Sequence, residues 1–456
     1  MQTAVSKRRV YQDLWNTGLP IFAELFLVSL FQMVDTALLK PCGTVAIAAV
    51  GLTAEPVNLL EFAFFALQTA IIARTAGLYV KRDWPAVHRL LAAAVKLISG
   101  AALVLGVAFA VFAEPILRLF GADAQTLPIA AAYLRVTLVA FLFRRIYSGI
   151  ASVLKGIGAP RWSFVLSLIA NAVNIVFDYL LINGVGPFPA LGAVGAAIAT
   201  AIGCAVGLVL SVFVCARCFR AQKAPVPAAV WRASAWGTIR SICGEAAPMV
   251  GEKVMIRLGT FLAIQRIALL GATSFAAYRI LITLQYFPFL SSEAISTTVL
   301  IFASQAYATR DGERAKAYTR GGLLCAAAIA AAFGALFFAL SGPLMTIYSD
   351  DPEVIRAGAQ VLRFIAFYQP FQAVALVYAG TMRACGLAKI PTAVTTVGIV
   401  LIRPALVYLL TPSLGVLGAW LAISADEIFR MFVLLTRRGR LWHTYAQARV
   451  PQPGAV

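Results

Sequence analysis

The sequence predicts an all-α membrane protein of twelve transmembrane helices, laid out as two tandem halves of six. Three observations predict it: composition, an internal repeat and a one-sided distribution of basic residues. With 61% hydrophobic and 12% charged residues and a mean hydropathy of +0.86, the chain has too little polar surface to cover a soluble globule of its length. Residues 20–83 can be laid on 248–311 without a gap, pairing Pro20 with Pro248, Glu24 with Glu252, Gly43 with Gly271 and Arg82-Asp83 with Arg310-Asp311. The same offset pairs Asp123 with Asp351, Leu134-Arg135 with Leu362-Arg363 and Gly158 with Gly386, and slips only near the end, where Leu191-Gly192 matches Leu414-Gly415. A period this long, kept in the same order, marks a duplicated structural unit.

Apolar stretches long enough to cross the hydrocarbon core fall at 16–40, 45–73, 90–113, 128–150, 162–183 and 191–216, then at 241–268, 274–303, 320–342, 357–380, 391–411 and 414–436. Six spans per repeat divide the chain into a bundle over 1–216, a linker over 217–240 and a bundle over 241–456. The linker carries Pro225 and Pro227 and the flanking Trp231 and Trp236, which suit the headgroup level. The basic N-terminus runs into a full-length span with no small-residue cleavage site, the pattern of a retained first helix and not of a removable signal peptide.

The formal charge of +19 would suggest a nucleic-acid partner in a soluble protein, but the cations lie on one side. Alternate connections hold about 26 of the Lys and Arg residues, including Lys7-Arg8-Arg9, Arg74 to Arg89, Arg144-Arg145, Arg217 to Arg240, Arg310 to Arg320 and Arg437-Arg438, against about four on the other side. One cluster per loop is a topology signal, compatible with membrane lipids as partners, and not a stripe tracking phosphates. It places both termini in the cytoplasm, with a bacterial inner membrane as the expected location. No nucleotide partner is expected, because no G-x-x-x-x-G-K-[ST] loop occurs, so uphill work would draw on an ion gradient. His88 and His443 lie outside the spans, which argues against a membrane-embedded enzyme. Among the seven cysteines only Cys215 and Cys218 have ligand-like spacing, and without a second pair they read as small buried side chains. No cofactor beyond a coupling ion is expected.

Ionisable groups inside spans are costly and are functional candidates by default. Asn171, Asn174 and Asp178 fall on one stripe of the fifth span, and Asp35 in the first span shares the depth of Asp178, each about five residues short of the outer end. Two carboxylates facing one cavity cannot both ionise cheaply, so one should hold a proton. Equally, the pair could hold Na⁺ with oxygens of Asn174 and Thr200. A hydrogen-bond network joining the two helices, or an ion pair with Arg135, are structural alternatives. Glu24 lies on nearly the same face of the first helix as Asp35, three turns away. Pro20 and Pro248 interrupt their helices and are candidate bends. In the second half Ala263 stands at the position of Asp35, and Arg403-Pro404 to about Val407 at that of Asn174 to Asp178. Glu252, Lys253 and Arg257 read as an internal salt-bridge network, Asp426 and Arg430 as an i,i+4 pair, and Glu61 and Glu293 as weaker cavity-lining candidates.

Leu19-Pro20 with Val34-Asp35-Thr36, Ala48-Ala49-Val50-Gly51, Tyr133-Leu134-Arg135, Gly156-x-Gly158, Asn174-Ile175-x-x-Asp178-Tyr179 and Gly192-x-x-Gly195 together resemble the multidrug and toxic compound extrusion (MATE) transporters. Arg363, Gln369-Pro370, Gly386, Arg403-Pro404 and Leu414-Gly415-x-x-Gly418-x-Trp420 continue the resemblance through the second half. It implies two six-helix bundles related by a pseudo-twofold along the membrane normal, exporting organic cations or amphipathic small molecules by alternating access in exchange for H⁺ or Na⁺. Carried over residue by residue, the family's N-lobe cation site falls on Asp35, Asn174, Asp178 and Thr200. A flippase for lipid-linked precursors, of the same broader superfamily, is the alternative, to which Arg135, Arg257, Arg279 and Arg403 would contribute a cationic cavity.

Overall fold

The repeat recurs in the backbone as well as in the residues. The computed structural model describes residues 6–447, and among these every regular element is helical. In order they are α1 (Lys7–Leu38), α2 (Gly43–Val80), α3 (Trp84–Val111), α4 (Ala113–Leu119), α5 (Thr126–Gly156), α6 (Pro160–Asn183), α7 (Gly192–Ala221) and α8 (Ala229–Arg232). The second half contributes α9 (Trp236–Ala268), α10 (Ala272–Ala308), α11 (Gly312–Ala339), α12 (Ser341–Thr346), α13 (Pro352–Ala384), α14 (Lys389–Thr396), α15 (Arg403–Thr436) and α16 (Arg438–Gln447). Four left-handed turn positions recur in both copies: Gly43 and Gly271, Arg82 and Arg310, Gly158 and Gly386, Gly192 and Gly415. The caps recur too. Asp83 accepts from the Ala86 N–H and Asp311 from the Arg314 N–H, each at 3.0 Å, satisfying a donor that the first helical turn would leave orphaned. Asp123 at α5 and Asp351 at α13 occupy matching places.

Among the described residues, ten helical stretches are long and apolar enough to cross a membrane, and two details reconcile them with the twelve spans expected. The helix α9 is not among the ten, because Glu245, Glu252, Lys253, Arg257 and Arg266 break its apolar run. The stretch Lys389–Thr436 counts once at 48 residues, about 72 Å of helix, far more than a bilayer needs. Its backbone leaves helical geometry at Gly415 (φ 56°, ψ −134°), where the repeat places the turn before the last span. Between α14 and α15 the helix widens into a π-turn over Val397–Ile402. Pro404 follows, with no N–H to return to the carbonyl four residues back, and the wider turn adds one residue to this span.

Contacts divide the chain into two compact units, one of Ala23–Ala246 (the N unit) and one of residues up to Phe22 with Ala247 onward (the C unit). This division is not that of the repeat. It falls inside α1, two residues after Pro20, and inside α9, one residue before Pro248, and both helices continue through their proline. In the N unit α5 is the central helix, packed on α2, α3 and α7; in the C unit its repeat counterpart α13 packs on α10, α11 and α15. The C-unit core is built around buried Trp420 with Tyr278 and Tyr368, ring centroids 6.0 and 6.4 Å away.

The linker is shorter than the sequence suggested. Helix α7 runs to Ala221 and α9 starts at Trp236, and the segment between is tied back to the N unit by His88 Nε2 on the Ala224 carbonyl (3.0 Å) and by Lys96 Nζ donating to the Ala233 carbonyl (2.9 Å). Arg144 and Arg145, counted above among the loop cations, lie well inside α5, with the Arg145 residue 8% exposed. They are interior charges and not topology signals.

Candidate functional site

Helix packing in the N unit brings the first-span and fifth-span acids together. Apolar side chains of Leu39, Ala46, Ile182, Ala193 and Ala196 lock the end of α1 against α2, α6 and α7. Helix α7 then approaches α6 through small residues at every fourth position. A Cβ on Gly195 would stand 2.6 Å from the Leu181 carbonyl, one on Gly203 2.4 Å from the Ala170 carbonyl, and one on Gly207 3.1 Å from Ala170 Cβ. Backbones that approach this closely bring short polar side chains within reach of each other. Asn174 Nδ2 donates to Thr200 Oγ1 at 3.3 Å, and Thr200 Oγ1 donates to the Ala196 carbonyl at 2.9 Å.

One turn further along α6, Asp178 is fully buried, and its carboxyl lies within hydrogen-bonding reach of the Asp35 carboxyl. Asn174 is likewise within reach of the Asp178 carboxyl, but among the described residues no cation meets either Asp178 oxygen or Asp35 Oδ1, and all three oxygens are buried without a short hydrogen bond. Two carboxyls can face each other at this range only with a proton or a metal cation between them. Asp35, Asn174, Asp178 and Thr200 therefore form one constellation with the oxygen donors that a hard monovalent cation requires.

Other candidates go elsewhere. Asn171 donates to the Ser167 carbonyl (2.7 Å) on its own helix and is spent on that local bond. Arg135 does not reach the acid pair; it pairs with Glu114 at 3.2 Å, with half of its side chain exposed, because its place near the end of the span faces the short helix α4. Glu61 is paired, held by Arg144 and by Arg145 (3.3 Å), and the Arg145 guanidinium also lies over the Phe141 ring at 5.3 Å. The i,i+4 pair is present, Arg430 Nε to Asp426 Oδ1 at 3.0 Å.

Two ion pairs repeat across the halves. Glu24 takes Lys155 Nζ at 3.0 Å and the Ser163 hydroxyl at 2.8 Å. Glu252 takes Arg383 at 2.8 and 2.9 Å, with the Thr392 hydroxyl 3.3 Å away. Each acid stands one turn after its proline. Glu252 thus belongs to a salt-bridge network as expected, but with Arg383 as a principal partner. The signal was in the sequence: Lys155 and Arg383 are repeat mates, as are Glu24 and Glu252.

In the C unit a cavity of about 1000 Å³ runs beside the first half of α1, between it and α10 and α11. Arg8, Gln12 and Asn16 line one end, and Phe22, Ile329 and Phe333 are among its apolar walls.

The MatE family model matches residues 20–180 and 248–409, the two halves in register with the repeat. "Probable multidrug resistance protein NorM" of Thermotoga maritima is 25% identical over 426 residues, covering 92% of this chain and 90% of its own. A "FAD transporter" of Shewanella oneidensis is 25% identical over 360 residues, covering 78% and 77%. In fold, the chain matches the Vibrio cholerae MATE transporter VcmN in its bent form with a TM-score of 0.88 at 14% identity, over 97% of this chain and 99% of that one. A MOP superfamily transporter from Pyrococcus furiosus matches with a TM-score of 0.79 at 18% identity, over 99% and 100%. The all-α fold, the two repeated halves and the family match over both of them make this chain a member of the MatE family of multi-pass membrane transporters.

Proposed function

We propose that the protein is an antiporter that exports organic, cationic or amphipathic compounds by alternating access, driven by inward movement of H⁺ or Na⁺. The observation that carries this reading is that the Asp35 and Asp178 carboxyls face each other with no salt bridge to either, because such a pair is relieved by taking up a proton or a metal cation. The multidrug resistance names of its relatives point to the same class of cargo. The C-unit cavity, largely apolar with Arg8, Gln12 and Asn16 among its lining side chains, suits an amphipathic molecule.

The coupling follows from competition. Binding of an ion at Asp35/Asp178 removes the negative charge that would hold a cationic compound, so ion entry favours its release. One charge crossing a potential of 100 mV supplies about 2.3 kcal/mol, enough to bias such a cycle. Pro20 and Pro248, beside the points where α1 and α9 pass between units, are the natural bends. The basic connections support a bacterial inner-membrane location with both termini in the cytoplasm.

Arg144 and Arg145, which share the one ion-pair partner Glu61, favour a second reading, in which the cargo is an amphipathic anion such as a lipid-linked precursor. Efflux of ethidium from cells expressing the chain, with the Na⁺ and H⁺ gradients collapsed one at a time, separates the two. Loss of efflux on collapsing one gradient identifies the coupling ion. Absence of efflux under every gradient refutes the organic-cation reading in favour of the second.

A further inference from the structure

The two halves treat the same place in opposite ways. In the N unit, Gly203 of α7 lies against Ala170 of α6, and Asn174 follows four residues on. Their repeat counterparts are Asp426, Gly398 and Arg403, the last displaced by the one extra residue of the π-turn. The small and large members have changed sides: Gly398 is bare, such that a Cβ there would stand 2.0 Å from Asp426 Oδ1, and the carboxylate comes from the opposite helix segment. The positions of Asp35 and Asp178 hold Ala263 and Val407, both buried in the apolar cluster around Trp420.

Arg403 donates to Asp426 Oδ2 through Nε at 3.0 Å and Nη2 at 2.7 Å. Arg430 donates to both Asp426 oxygens (3.0 and 3.1 Å) and contacts Glu427, which also accepts from Gln372 Nε2 at 3.2 Å. Asp426 is fully buried and Glu427 is 5% exposed. Two guanidiniums thus meet two carboxylates, and no atom of Asp426, Glu427, Arg403 or Arg430 is both buried and without a partner. From neighbouring helices, Tyr368 on α13, Tyr278 on α10 and Glu252 on α9 also face this cluster, and Glu252 is already held by Arg383.

We propose that Arg403 is a tethered counter-cation: it fills permanently, in the C unit, the role that the N unit leaves to an ion from solution, so that each cycle couples to a single cation-binding site. A guanidinium fixed to the backbone cannot exchange, and a cluster whose charges already balance gains nothing by recruiting an ion. Removing Arg403 leaves one buried carboxylate in excess, which must take up a proton or bind a metal cation. Arg403 is in this sense a positioning residue for coupling stoichiometry. The inference rests on the antiport reading for its meaning in transport, but not for its test.

The test is thermal unfolding of the purified full-length protein carrying Asp35→Asn and Asp178→Asn, followed across a pH series in Na⁺ and in a large organic cation. This background should melt at a temperature indifferent to the cation and changing little with pH. Adding Arg403→Gln should make the melting temperature rise on acidification or on addition of Na⁺, and adding Asp426→Asn on top should abolish that dependence. Arg403→Lys should stay indifferent. A melting temperature of the Arg403→Gln protein that ignores both pH and Na⁺, or a dependence that survives Asp426→Asn, overturns the proposal. If Arg403→Gln alone yields no folded protein, recovery by Asp426→Asn supports it and failure to recover overturns it. A wild-type protein whose stability ignores both H⁺ and Na⁺ would count against the antiport reading, leaving the Arg403 comparison intact.

Discussion

Asp178 shows how much one residue's meaning depends on its neighbours. Its type and depth could be read from the sequence, but a carboxylate at membrane depth can equally be half of a salt bridge, as Asp426 is. What distinguishes them is the partner: Asp426 has two arginines, whereas Asp178 faces another acid, Asp35, with only the neutral amide of Asn174 beside it. Asp35→Asn and Asp178→Asn should therefore each abolish gradient-driven export while leaving expression and folding intact, since an amide keeps the shape and removes the exchangeable charge. Transport in proteoliposomes checks this, and wild-type export by either variant would refute the site. Thr200→Val should weaken ion affinity without abolishing export, because it removes one oxygen donor of several. The apparent ion affinity should fall while the maximal rate changes little.

At the scale of elements, the glycines of α7 set the geometry that the acid site needs. Gly203→Leu should separate α6 from α7, at a cost of about 1–3 kcal/mol as for other overpacked cores; a lowered melting temperature with lost export would show it, and an unchanged melting temperature would refute the close-packing account. The repeated pairs Glu24–Lys155 and Glu252–Arg383 pin the turn after each proline to the unit that it enters. Removing one partner of such a buried pair typically costs roughly 3–5 kcal/mol. Lys155→Gln and Arg383→Gln should both destabilise, and the matching Glu24→Gln or Glu252→Gln added to each should recover part of the loss. The helices themselves were legible from hydropathy, including the turn at Gly415, because the repeat placed it at Gly192. Arg144 and Arg145 were misplaced as loop cations, because long basic side chains near a predicted helix end look the same whether they snorkel to the surface or turn inward to an acid.

At the scale of the molecule, the duplicated chain has diverged in chemistry more than in backbone: turns, caps, central helices and the ion pair after each proline match, whereas the polar groups around Gly203 and Gly398, and the π-turn beside the latter, do not. The orientation that follows from the basic loops predicts that, in a cysteine-free background, Pro187→Cys reacts with an impermeant maleimide on intact cells and Lys223→Cys only in inverted vesicles. The reverse pattern would overturn the assigned topology.

By itself the sequence determined the membrane medium, the twelve spans, the duplication and the depth of the acids within the spans, because those depend on hydropathy and order along one chain. Tertiary structure alone decided which charges meet. Helical phase places Glu61, Glu252, Asp178 and Asp426 on faces, but only packing between helices shows that three of them are met by arginine and one by another acid. That difference in partners, set by close approach at Gly203 and Gly398, separates a pair of facing acids from a neutralised core.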